Sequence, residues 1–392
     1  FVVLFAILLG SCGGGGSGPP AECVDNVCPC SEGGVRAAIA EGLGPYSFDC
    51  EGPTTVTTGS EIVIENDVTL DGGGLLTLDA NLRHRVLAVP RDVTVELIGF
   101  TVANGRQTEE HGGGIRNEGT LTLTDSAVAG SSAGRDSGCR TDDPALLCSE
   151  GGGIWNAGTL TLARTTVSAS SAHFGGGIAN RQGSVTLVDS SVSSSLATGC
   201  RGAGAVVCSG GGGIWNSATL TMSNSTVSGN TADWGAGIYS RGVPTLTECT
   251  ISGNSAGFDG GGLLNFETLI VIDSTVADNT AGQSGGGIAN QAGTLEVTGS
   301  TVSGNTAAAA GGGIYTPPGA AADLSNTTVS GNEGDRGGAM YTGGSLLLRS
   351  STIAQNDAPT ARAIFDPGTP DAGPRTITNT LIDGDCAGTP FD

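Results

Sequence analysis

The stretch "GGGIWNSATLTMSNSTVSGNTADWGAGIYS", residues 211–240, begins to restate itself before it ends. Aligned on the apolar residue after its glycines, the phrase recurs at Ile115, Ile154, Ile178, Ile214, Ile238, Leu263, Ile288, Ile314 and Met340. Most intervals are 24 to 26 residues; those of 39 and 36 carry insertions before Ile154 and Ile214. A fixed period in this range is the signature of a solenoid, in which each repeat buries its apolar face against the next.

Each copy holds three short segments that alternate with period two. "GTLTL" (158–162) turns Leu160 and Leu162 one way, "STVSGN" (225–230) turns Val227 inward, and "GGIWN" turns Ile214 inward and Trp215 outward. Alternation excludes a helical repeat, and a propeller blade needs a period of about 40 residues. The fold class predicted is all-β: a three-sided, right-handed parallel β-helix. The Val/Ile column from Val102 to Ile382 supplies eleven rungs, a shaft about 50 to 60 Å long. Asn230, Asn254, Asn279, Asn305, Asn332 and Asn356 share one slot, and Asn117, Asn156, Asn180, Asn216, Asn265 and Asn290 another. Stacked rungs would turn both into amide ladders.

Composition fits a thin core. Glycine is 69 of 392 residues and aromatics only 4%. The net charge of −22 excludes a nucleic-acid partner, which would need clustered positive charge. All sixteen basic residues are arginine.

Four segments follow. Residues 1–11 read as a signal peptide without its n-region, since Phe1–Leu9 is apolar but too short to span a bilayer. Leu9-Gly10-Ser11-Cys12 resembles a lipobox, which makes Cys12 the lipidated residue; an ordinary secretion signal cut elsewhere is the alternative. Residues 12–22 form a Gly/Ser/Pro tether, and Gly13 directs the anchor to the outer membrane. Residues 23–60 form an N-terminal cap with a helix over "EGGVRAAIAEGL", whose Val35, Ala38, Ile39 and Leu43 share a face. Residues 61–392 form the β-helix, and both chain ends read as truncated.

Cysteine usage agrees with export. Pairs are expected at Cys23–Cys28, Cys30–Cys50, Cys139–Cys148 and Cys200–Cys208. Zinc is the competing reading for the first four, though their spacing fits it poorly. Cys249 occupies a serine slot and is expected as a buried free thiol. Cys386 is left without a partner.

The order "CSEGGVRAAIAEG…FDC", "VTLDGGGLLTLDA", "VTVELIGFTVANG" and repeated "GGGIWN" resembles exported bacterial β-helix repeat proteins with choice-of-anchor Q type C-termini, and the repeats of polymorphic outer membrane proteins. The resemblance runs from Cys23 to Cys386. It implies a surface component and no particular activity. Pectate lyases and polygalacturonases share the solenoid but not this repeat.

One outward column departs from the repeat: Arg116, Trp155, Ala179, Trp215, Tyr239, Leu264, Ala289, Tyr315 and Tyr341. It takes five of the chain's seven Trp and Tyr residues, with Arg181 and Arg241 just beyond it. Two readings stay open: the rings pack under the cysteine loops, or they form a platform for sugar rings and acidic groups. The function expected is a cell-surface lipoprotein, a monomer acting as an adhesin-like, polysaccharide-binding or structural envelope protein. The alternative is a polysaccharide lyase or hydrolase. No catalytic residue or cofactor is expected; calcium enters only with the alternative, whose candidates are Asp142 and Asp143 beside Arg140, with Asp67 and Asp71. His84, His111 and His173 are read as surface residues.

Overall fold

The computed structural model describes residues 22–134, 148–199, 209–368 and 373–387. They wind into a right-handed, three-sided parallel solenoid. One rung shows the plan. Ile214–Asn216 lies in the first face, sheet B. Thr219–Ser223 and Thr226–Ser228 form two arms of sheet A, and Thr231–Ala232 belongs to sheet C. The chain then regains sheet B at Ile238–Ser240, with Ile214 against Ile238 and Trp215 against Tyr239. The described strands number 25 in sheet A, 13 in sheet B and 9 in sheet C. Sheet B thus reaches beyond the repeat phrase, back through Leu87–Val89 to Ile62–Val63.

Three left-handed positions turn the rung, the third of them between sheets A and C at Gly229 and at its equivalents Ala169, Ser194 and Asp278. At the first, Gly211 has φ +65°, and a Cβ there would lie 2.4 Å from the Ile214 carbonyl oxygen. The second, between the arms of sheet A, uses the same left-handed backbone, with glycine at Gly99 and Gly299 but not in most rungs. Asp125, Asp189, Asn224, Asp273 and Asn326 have φ between 44° and 51°. Short polar side chains tolerate that region better than most.

The interior is a stack of like on like. Ile154, Ile178, Ile214, Ile238 and Ile288 are fully buried, as are Val167, Val192, Val227 and Val276. Both asparagine ladders form. Asn230, Asn254, Asn279 and Asn305 each donate Nδ2–H to the Oδ1 of the next, at 3.0, 2.9, 2.9 and 2.9 Å. The same Oδ1 also accepts the preceding main-chain N–H, so the ladder satisfies backbone as well as side chain. The second ladder passes from Asn216 to the Ser240 hydroxyl before resuming at Asn265–Asn290. Cys249 is a buried free thiol among ladder hydroxyls, its N–H donated to Ser274 Oγ.

The N-terminal helix α1, Glu32–Glu41, is capped by Ser31, whose hydroxyl accepts from Gly34 N–H. It buries Val35, Ala38 and Ile39 over the first rungs. Leu43 does not join that face: the helix stops at Gly42, φ +72°, and Leu43 is exposed. Disulfides Cys23–Cys28 and Cys30–Cys50 hold the cap. Cys148 is disulfide-bonded. Cys12, Cys139, Cys200 and Cys208 lie outside the described residues. Cys386 is free and exposed.

Candidate functional site

The outward column of sheet B stays in register from Val63 through Ala88, Arg116, Trp155, Ala179, Trp215, Tyr239, Leu264, Ala289, Tyr315 and Tyr341 to Phe365. Neighbouring strands lie about 4.8 Å apart, so these side chains form one line along the shaft.

Trp155 and Trp215 point out of the strand yet are buried, at 9% and 8% exposure. His111 stacks on Trp155 with ring centroids 5.3 Å apart, and the Arg116 guanidinium lies 5.7 Å from the same ring. Arg181 covers Trp215 at 5.5 Å, and Phe174 leans against it at 6.0 Å. Trp155 Nε1–H donates to Glu150 Oε2 at 3.0 Å, and Arg181 pairs with Glu150 Oε1 at 2.9 Å. The two tryptophans therefore do not form an open platform. Their faces are filled by residues that sequence alternation alone does not bring to them.

The histidine reading also changes. His173 is buried and His84 half-buried, with both ring nitrogens of His84 against backbone carbonyls. His111 is half-buried and takes the Glu150 N–H on Nδ1 at 3.2 Å. Burial, with Arg181 and Arg116 nearby, brings its pKa down to about 4. Burial pushes the Glu150 carboxyl up, against the pull of Arg181 and Trp155.

Further along, Leu264 and Ala289 remain buried, and the line is accessible at its rings. Tyr239, Tyr315, Tyr341 and Phe365 are half-buried, joined by Phe266. Tyr315, Tyr341 and Phe365 stack along the axis, centroids 5.0 and 5.4 Å apart, so their faces meet each other and their rims meet solvent. Arg241 lies over Tyr239 and Phe266 at 5.7 and 5.4 Å, and its Nε–H donates to Tyr239 Oη. Arg336 lies over Tyr341 and Phe365 at 5.7 and 5.9 Å.

These two arginines differ from the others on this face. Arg116 pairs with Glu110 and Glu118, and Arg181 with Glu150. Neither Arg241 nor Arg336 has a carboxylate partner among the described residues, and both are exposed. Between them, Asp259 is buried and held by Ser284 N–H and Gln291 Nε2–H. Burial pushes its carboxyl up, and pushes up the phenols of Tyr315 and Tyr341 as well.

Sequence reading singled out Tyr239, Tyr315, Tyr341, Arg181 and Arg241; the structure lines up the three tyrosines and sets Arg241 over Tyr239 and Arg181 over Trp215. It missed Phe365, Phe266, Arg336 and Glu150. Phe365 was within reach, since "RAIF" (362–365) continues the column that ends in "GAMY" (338–341). Asp67 is exposed and caps Thr94 N–H, and Asp71 takes Gly73 N–H. Asp142, Asp143 and Arg140 lie outside the described residues. No three His, Cys, Asp or Glu among the described residues come together as a metal site.

Two overlapping matches to the family described as "Right handed beta helix region" cover residues 150–329 and 210–365, together more than half of the chain. The chain belongs to the right-handed β-helix family. No curated protein matches this β-helix chain in sequence. Among solved structures it is similar to the A-module of mannuronan C-5 epimerase AlgE6 from Azotobacter vinelandii. Identity is 15%, coverage 91% of this chain and 94% of that one, and the TM-score 0.37.

Proposed function

We propose that this β-helix is an exported, surface-held shaft that binds an acidic polysaccharide along sheet B, between Arg241 and Arg336. The observation that carries the reading is a pair of guanidinium groups that no carboxylate among the described residues neutralises, on a chain of net charge −22. Each is held in place by two aromatic rings. Tyr239 and Tyr341 are four strand spacings apart, about 19 Å, the reach of several sugar residues. Guanidinium groups pair with uronate or sulfate oxygens, and the phenol rims of Tyr315 and Tyr341 offer hydrogen bonds to hydroxyls between them. Rims and cations, rather than open ring faces, would make the contacts.

Surface display rests on sequence: the apolar run Phe1–Leu9, the lipobox-like Leu9–Cys12 and the tether that follows. Cys12→Ala would move the protein from the membrane to the soluble fraction of an expressing bacterium.

Affinity electrophoresis tests the binding. Gels would hold polygalacturonate, dextran sulfate or neutral dextran, with and without calcium, and be stained afterwards for polymer. Retardation by an acidic polymer, lost in Arg241→Ala/Arg336→Ala and absent with dextran, supports the reading. Retardation unchanged in the double variant refutes it. Cleared polymer would make the chain a lyase or hydrolase instead.

A further inference from the structure

At the N-terminal end of the same sheet, a cleft of about 370 Å³ is lined by Glu61, Val63, Arg85, Ala88, Glu110 and Arg116, closed at its edge by Glu118. Its floor is apolar: Val63 and Ala88 stand outward on adjacent strands beside Val89 and Pro90. Its rim is charged and built around one buried cation. Arg85 is 3% exposed and donates Nε–H to Gly112 O at 2.9 Å. Nη1 goes to Glu61 Oε1 at 2.6 Å, and Nη2 to Glu110 Oε2 at 2.8 Å and His111 O at 3.0 Å.

This clamp has a consequence for the two carboxylates. Each gives one oxygen to Arg85, while Glu61 Oε2 and Glu110 Oε1 take no hydrogen bond from the described residues. The pair therefore offers two fixed acceptors at the mouth of an apolar-floored cleft. Hydrogen bonding to Arg85 holds the Glu110 carboxyl below its usual range, so it accepts and does not donate at neutral pH. Among the described residues no cation of the cleft is left over: Arg116 is spent on Glu110 and Glu118, and Arg91 lies 3.4 Å from Glu118.

We infer that this cleft binds a neutral sugar residue. Its vicinal hydroxyls would donate to Glu61 and Glu110, and its C–H face would rest on Val63 and Ala88. Fixed carboxylate acceptors suit hydroxyl donors and repel an acidic sugar, which would find no free guanidinium here. The apolar floor suits the less polar face of a pyranose, and the cleft has room for one or two residues. The site is separate from the Arg241–Arg336 stretch and prefers a neutral ligand to an acidic one.

Saturation-transfer NMR on the whole chain tests this, with the methyl glycosides of glucose, galactose, mannose and glucuronic acid as probes. At least one neutral glycoside should show transfer and the glucuronide none. Ala88→Trp, which fills the floor from an outward position, should abolish it, and Glu110→Gln should weaken binding roughly tenfold. Val63→Phe serves as a second block should Ala88→Trp fail to fold. Transfer that survives both blocks overturns the inference, as does a glucuronide bound as well as the neutral sugars or no binding at all. Retardation by acidic polymer should be unchanged in Ala88→Trp, so failure here leaves the Arg241–Arg336 reading to its own test.

Discussion

Sheets A and B share an interior and differ outside. On the second arm of sheet A the outward column reads Thr166, Ser191, Thr226, Thr250, Thr275, Thr301, Thr328 and Thr352 across consecutive rungs. Hydroxyl follows hydroxyl, with no charge in the column. Across the shaft, sheet B shows tryptophan, alanine, tyrosine and leucine over the same rungs. The first column is what folding requires: stiff, β-branched side chains that suit a half-exposed parallel strand. The second is not required by the rung, because Ala179 and Trp215 occupy equivalent places on neighbouring strands. A repeat shows its function where it stops repeating.

The largest effects should come from the interior that the two faces share. Asn279→Leu removes the acceptor of Asn254 N–H and the donor to Ile251 O, both buried. Leaving such groups unsatisfied should cost about 4 kcal/mol, read as a lower urea midpoint with folded far-UV circular dichroism below it. A loss under about 1 kcal/mol would mean that the ladder is decorative.

A middle-sized effect belongs to sheet B alone. The folded pKa of His111, about 4, lies below the ordinary 6.5. Between those values the unfolded chain binds more protons, so this ring's contribution to stability is complete above pH 6.5 and is lost as pH falls to 4. With allowance for solvent screening of a half-buried ring, the loss should be about 2 kcal/mol. His111→Phe keeps a ring against Trp155 and should flatten that part of the difference curve, followed by tryptophan fluorescence in urea at each pH.

Smaller still is the stability cost of Arg336→Ala. Cation–π contacts at exposed sites are worth about 0.5 to 1 kcal/mol, so the melting point should fall only slightly while acidic polymer is no longer retained. Smallest of all is Thr250→Ala on sheet A, expected within about 0.5 kcal/mol of the parent and without effect on binding. A Thr250→Ala change larger than that of Arg336→Ala in either assay would erase the distinction between the faces.

Much of the fold was legible because it depends on periodicity. The Ile and Val columns, both asparagine ladders and the buried Cys249 all follow from repeated spacing, while the Cys23–Cys28 and Cys30–Cys50 pairs follow from their closeness in sequence. What was not legible depends on contacts between rungs. Alternation tells which way Trp155 leaves its strand, but not that His111, from the rung before, will lie across it. Glu61, Arg85 and Glu110 come from successive turns and occupy no shared slot of the repeat, so nothing in the alignment joins them. Leu43 failed for a local reason: the helical face was extended one residue past Gly42, where the backbone leaves the helix.

The most direct test sets the two faces against each other in one experiment. Arg241→Ala/Arg336→Ala and Thr226→Ala/Thr250→Ala would be run beside the parent through gels of graded polygalacturonate and dextran sulfate, after matched circular dichroism spectra. Loss of retardation in the arginine pair alone, with the threonine pair indistinguishable from the parent, is the result predicted. Equal retardation of all three proteins would contradict it, leaving the sheet B column as packing and the shaft without a binding face there.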